Sequence, residues 1–195
     1  MKSATVLRFF KTGVLKKWLL TAAFIAGIHA GAAAQSAGKV EVSLNFARQN
    51  GFATNQFAIW VEDAQGRFVK TLYATQFTAS GGWKTREQSL PLWVKQSGIS
   101  RQSQNTSAKA DAVTGPTPKD GSLKYSWDAT DSNNRALPAG EYRIFVEASL
   151  RNENRVLYTA NIRLGGSPGQ ITPQPSYFGS SSAERGMIGA VTVKY

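Results

Sequence analysis

From residue 40 to 46 the apolar side chains Val40, Val42, Leu44 and Phe46 alternate with the polar Glu41, Ser43 and Asn45. That period of two turns one face of a strand to a core and the other to water. Residues 57–62 and 68–75 are rich in aromatic and β-branched side chains and are separated by Asp63-Ala64-Gln65-Gly66, a turn composition, so they are expected to pair as a hairpin. Residues 123–127, 141–150, 155–164 and 187–195 read as four more strands, with 152–154 as the tight connection between the middle two. Seven short strands with turn signals between them predict an all-β chain closed as an antiparallel β-sandwich.

Two long interruptions break this meander, and loops longer than about 12 to 15 residues are usually functional or disordered. The first, residues 78–121, contains Gly81-Gly82-Trp83, a short helical piece around 90–96 and a polar stretch over 97–109. The second, residues 165–186, is rich in Gly, Pro and Ser and reads as surface coil. Recognition is expected on such loops. Trp60, Trp83 and Trp93 are the aromatic candidates for a role beyond the core, although a tryptophan on a strand or short helix is commonly buried packing.

The N-terminus has a different organisation. Lys2, Arg8, Lys11, Lys16 and Lys17 precede an apolar run over 18–28, and Ala32 and Ala34 then supply small residues for cleavage, the organisation of a secretory signal helix removed after residue 34. The run is shorter than the roughly 20 residues a spanning helix requires. A mature chain starting at Gln35 would form one domain over 35–195, periplasmic and not membrane-spanning. His29 is the only histidine and there is no cysteine, so this mature chain has neither imidazole nor thiol, and its fold must rest on its core rather than on disulfides. Five of the 23 Lys and Arg and none of the 12 Asp and Glu precede residue 35, which reduces the net charge from +11 to +6. The remaining cations are scattered, without the dense tract that tracks a nucleic-acid backbone.

Trp127-Asp128-Ala129-Thr130-Asp131 leads through Asn133-Asn134 to Leu137-Pro138-Ala139-Gly140-Glu141-Tyr142. Asp and Asn favour tight turns, Pro138 sets φ before the next strand, and Trp127 and Tyr142 are placed to meet. The segment resembles the immunoglobulin-like domain of the flagellar hook-capping protein, in which a Trp-Asp-Gly…Pro-x-Gly-x-Tyr pattern closes a hairpin. Ala129 and Asn134 stand where that pattern prefers glycine. The resemblance implies an immunoglobulin-like sandwich. Asp128 and Asp131 lack the alternating spacing of a calcium loop and read as turn caps rather than metal ligands.

Asp111-Ala112-Val113-Thr114-Gly115-Pro116-Thr117 is the most distinctive string. It resembles the acceptor motif Asp-x-x-[Ser/Thr]-Gly-Ala-Thr of covalently flavinylated extracytoplasmic proteins, with Pro116 in place of alanine. That resemblance implies Thr117 as the attachment point of FMN, with Asp111, Thr114 and Gly115 as recognition positions. Gly115-Pro116 is also a turn signal that would present Thr117 outward. Residues 57–63, 68–72, 111–118 and 127–147 together resemble an uncharacterised family of predicted periplasmic proteins, domain-of-unknown-function family 2271. This second resemblance implies an FMN transferase and a PepSY-type membrane protein as partners.

Without His or Cys, catalysis would fall to Asp, Glu, Lys or Tyr. Glu62 with Asp63 and Glu141 with Glu147 are the nearest acid pairs. Neighbours on a strand point to opposite faces, and Glu147 reads as a polar position at the sheet rim, so no catalytic constellation is expected. Two readings stay open: an exported accessory or binding protein linked to a flavin or redox system, and a covalent FMN carrier modified at Thr117.

Overall fold

The computed structural model describes residues 38–49, 55–99, 114–149, 154–179 and 186–195. The expected signal helix over 1–34, Asp111 and most of the polar stretch over 97–109 lie outside the described residues. All seven expected strands are present, shifted by at most two residues at their ends: β1 (Val40–Phe46), β2 (Gln56–Asp63), β3 (Phe68–Thr75), β5 (Gly121–Trp127), β6 (Gly140–Ser149), β7 (Arg155–Leu164) and β10 (Ile188–Lys194). Three short strands join them, β4 (Thr114–Gly115), β8 (Gln170–Ile171) and β9 (Ser176–Phe178). The fold is an all-β sandwich. One sheet has the order β5-β1-β10-β8 and the other β4-β3-β2-β6-β7-β9. The segment expected as plain surface coil, 165–186, thus adds an edge strand to each sheet. These strands escape a pattern search because two or three residues cannot display a period.

The core lies between the sheets. Val40, Val42, Leu44 and Phe46 of β1 face Phe57, Ile59 and Val61 of β2, Tyr142, Ile144, Val146 and Ala148 of β6, and Val156, Tyr158, Ala160 and Ile162 of β7. β10 contributes Ile188, Val191 and Val193. Tyr158 crosses the sandwich and donates its hydroxyl to the Ile188 carbonyl at 2.9 Å, so the core carries a polar tether as well as apolar contacts.

Residues 127–142 do not close a hairpin within one sheet, because β5 pairs with β1 and β6 pairs with β2 and β7. The segment crosses from one sheet to the other, and Trp127 and Tyr142 meet edge to face across the core at 5.5 Å between ring centroids. Each ring also closes a local bond. Trp127 Nε1 donates to the Thr130 carbonyl at 2.8 Å and the Tyr142 hydroxyl donates to the Pro138 carbonyl at 3.0 Å. Ala129 and Asn134 have φ of 56° and 60°, the left-handed conformation that glycine adopts at least cost.

The loop after β3 is folded rather than open. Helices α1 (Gln76–Ala79) and α2 (Pro91–Gln96), with a 3₁₀ turn at Gly82–Lys84 between them, lie on the outer face of the six-stranded sheet. Leu90, Trp93, Val94 and Ile99 there form a second apolar cluster with Ala58, Trp60, Ala74 and Phe145. This cover is why Phe57 to Val61 are fully buried without alternation. An unbroken apolar run is the mark of a strand covered on both faces.

Candidate functional site

Of the residues implied in flavin attachment, Thr114, Gly115 and Thr117 lie in the described structure and sit together at the open edge of the six-stranded sheet. β4 pairs in parallel with the end of β3, Thr114 opposite Ala74 and Gly115 opposite Thr75. Gly115 is therefore a strand residue, not the turn that Gly115-Pro116 suggested. Its lack of a side chain serves close approach instead, since a Cβ at Gly115 would lie 3.3 Å from the Tyr73 ring. Pro116 ends the pairing because it has no N–H to extend it. From there residues 116–120 cross toward β5.

Two side chains hold this crossing, both through its carbonyls. Tyr73, on the inner face of β3, donates its hydroxyl to the Pro116 carbonyl at 3.0 Å. Burial raises the Tyr73 hydroxyl above its ordinary pKa, so it remains a neutral donor across the physiological range. Its ring packs against Phe57 and Tyr125 at 4.9 and 4.8 Å between centroids, which fixes the donor in place. Arg48, just past β1, donates from Nη2 to the carbonyls of Thr117 at 3.1 Å and Pro118 at 3.2 Å. Its backbone N–H donates to Asp120 Oδ1 at 2.8 Å. Neither Tyr73 nor Arg48 was singled out by the sequence, because hydrogen bonds to backbone carbonyls leave no motif. Thr117 is half-buried, and its hydroxyl stands outside this hydrogen-bond set.

The acidic candidates have structural partners. Glu62 is buried on the outer sheet face, where it accepts from Trp60 Nε1 at 3.0 Å and pairs with Arg143 at 3.1 Å. Asp63 points into the turn. Its carboxylate accepts from the backbone N–H groups of Gln65 and Arg67 and from Arg67 Nε. Glu147 is not at the sheet rim but fully buried under α2, accepting from the N–H groups of Leu92 at 3.2 Å and Trp93 at 2.8 Å, with Arg155 at 3.4 Å. Glu141 instead pairs with Arg163 at the surface, so no two of these carboxylates share a site. Trp60 and Trp93 are fully buried, Trp60 stacked on Phe145 at 5.0 Å and Trp93 donating to Thr71 Oγ1 at 3.0 Å. Of the three tryptophans only Trp83 retains accessible surface.

The oxygens of Asp128, Thr130 and Asn134 converge on an ammonium. Lys70 Nζ lies 2.7 Å from Thr130 Oγ1, 3.3 Å from Asn134 Oδ1 and 3.7 Å from Asp128 Oδ1. Asp131 is occupied by its own turn, accepting from the N–H groups of Asn133 and Arg135 and from Arg135 Nε. A depression of about 400 Å³ at one end of the sandwich is lined by Arg163, Leu164, Gly165, Pro168 and Tyr195 and brings together no acid–base pair.

The profile of a family described as a predicted periplasmic protein, domain-of-unknown-function family 2271, matches residues 37–178. The chain belongs to this family. The match spans β1 to β9, including the segment held by Tyr73 and Arg48, and the family description places the protein in the periplasm. No curated protein and no solved structure matches the chain. No described helix is long and apolar enough to cross a membrane.

Proposed function

We propose that this family member is an accessory protein of an extracytoplasmic flavin system and that Thr117 is the covalent attachment point of FMN. The observation that carries the reading is the way residues 115–118 are held, by their carbonyls at the sheet edge, with no bond to the Thr117 hydroxyl among the described residues. A half-buried threonine whose backbone alone is tied down can turn its hydroxyl toward another enzyme's active site without unfolding the segment. In the attachment step Thr117 Oγ forms a bond to the flavin-side phosphorus of a flavin pyrophosphate donor, and the anhydride P–O bond breaks. The departing nucleotide phosphate keeps the electron pair, and a base on the FMN transferase takes the hydroxyl proton. A pyrophosphate is required because free FMN would have to expel hydroxide. Bound flavin supplies electron-transfer chemistry, while this chain tethers and positions it. The transferase is the partner this chemistry demands; a PepSY-type membrane protein is the electron partner we assign from the family resemblance.

An immunoglobulin-like reading of the sandwich, and with it the likeness to the hook-capping domain, is supported by strand order. The pair β1–β5 and the series β3-β2-β6-β7 correspond to strands B–E and C′-C-F-G, and β10 takes the place of strand A beside β1. The Tyr142 bond to Pro138 has the form of a tyrosine corner. This likeness concerns fold and carries no function.

Co-expression with an FMN transferase and intact mass measurement test the proposal. The expected product begins at Gln35 and carries one FMN. Thr117→Ala should remove the adduct and leave thermal stability unchanged, and Pro116→Ala, which restores the motif's alanine, should load faster. Wild type and Pro116→Ala both unmodified beside an active transferase would reject the carrier role.

A further inference from the structure

The guanidinium of Arg48 is only half used. Its Nη2 serves the Thr117 and Pro118 carbonyls, while Nε and Nη1 have no partner among the described residues. Nor does any described carboxylate pair with it. Asp120, in the same crossing, turns its Oδ1 to the Arg48 backbone N–H instead. An exposed, permanently charged guanidinium is thus held against the backbone of the very residue whose hydroxyl is the proposed acceptor.

We infer that Arg48 is the phosphate-binding residue of this attachment site, its charge and its unused Nη1–H or Nε–H donors taking an anionic oxygen of the phosphodiester at Thr117. The inference rests on the reading of Thr117 as acceptor. Attachment replaces a neutral hydroxyl by a monoanionic phosphodiester, and a fixed guanidinium offers it a permanent positive charge and a charge-assisted N–H donor. Because Nη2 is already fixed by the two carbonyls, Arg48 pays little further side-chain entropy to do so. The same placement draws the donor's phosphate toward the acceptor before the bond forms, and Lys119 adds a second positive charge next to Pro118.

A merely structural role would need only an N–H donor for the carbonyls, which glutamine supplies without charge. Initial rates of FMN attachment, read by intact mass at limiting transferase, should therefore fall about tenfold or more in Arg48→Gln. Thermal melting should be unchanged, and Lys124→Gln, which removes a surface cation on β5, should load like wild type. In protein loaded to completion, the ³¹P resonance of the phosphodiester should move in Arg48→Gln and stay in place in Lys124→Gln. Equal loading rates and an unmoved resonance in Arg48→Gln would overturn the role of Arg48 while leaving Thr117 as acceptor. A wild-type chain left unmodified by a transferase that loads a control acceptor would overturn both readings.

Discussion

Two turns in this protein are built from the same parts. Asp63-Ala64-Gln65-Gly66-Arg67 and Asp131-Ser132-Asn133-Asn134-Arg135 each begin with an aspartate that accepts from two N–H groups ahead of it and from the arginine Nε four residues on. The fourth residue is left-handed in both, Gly66 at φ 77° and Asn134 at φ 60°. At Asp131 the Arg135 N–H, with help from its guanidinium and from Asn133, holds the carboxyl below its ordinary pKa. At Asp63 partial burial acts upward, but the bonds from Arg67 and Gln65 outweigh it. A depressed folded pKa contributes stability above the unfolded value of 3.8 that is lost as pH falls through the folded one. Asp131→Asn should therefore flatten the loss of thermal stability below pH 3.8. Between the sheets, Trp127→Ala should destabilise by about 3 to 5 kcal/mol and Tyr142→Phe by about 1 kcal/mol, the second isolating the hydroxyl bond to Pro138. Chemical denaturation of the two variants measures both.

At the scale of elements, the cover formed by residues 76–99 is held to the sheet by a few polar contacts around an apolar patch. α2 has six residues, too few to be stable alone, and Glu147 of β6 supplies the carboxylate that its first turn lacks. Ser149 accepts from the Leu90 N–H at 2.7 Å and donates to the Gln88 carbonyl at 2.9 Å. Glu147→Ala should cost about 3 kcal/mol or more, because two helix N–H groups and Arg155 lose their buried partner. It should also make 76–99 the first site of limited proteolysis. Burial raises the Glu147 pKa despite its three donors. A raised pKa in an acid means that its penalty is absent below the unfolded value of 4.5 and grows as pH rises through the folded one. Its contribution thus runs opposite to those of Asp63 and Asp131.

For the whole molecule, the C-terminal strand is central to the four-stranded sheet although it follows the family match. β10 lies between β1 and β8, and Met187, Ile188, Val191 and Val193 are all buried. Residues 35–178 expressed without it would expose the paired edge of β1 and the floor of the core. They should fail to give the cooperative melt of residues 35–195, read by circular dichroism. Addition of a peptide spanning 186–195 should restore it in part.

The seven long strands, the turns at Asp63 and Asp131, and the meeting of Trp127 with Tyr142 were legible along the chain, because alternation and turn chemistry are local properties. The sequence also marked 111–117 as a distinctive string. Which face each acid occupies depends on what packs over the sheet and is seen only in the folded chain. Glu147 reads as a rim residue until α2 is seen packed above it, and Trp60 and Trp93 stay open between packing and recognition until they are found in one cluster. The unbroken apolar run from Phe57 to Val61 was the available sign of that cover. Tyr73 and Arg48 came into view only with the fold. They act on the carbonyls of residues 115–118 from more than 40 positions away, and a backbone carbonyl is the same at every residue.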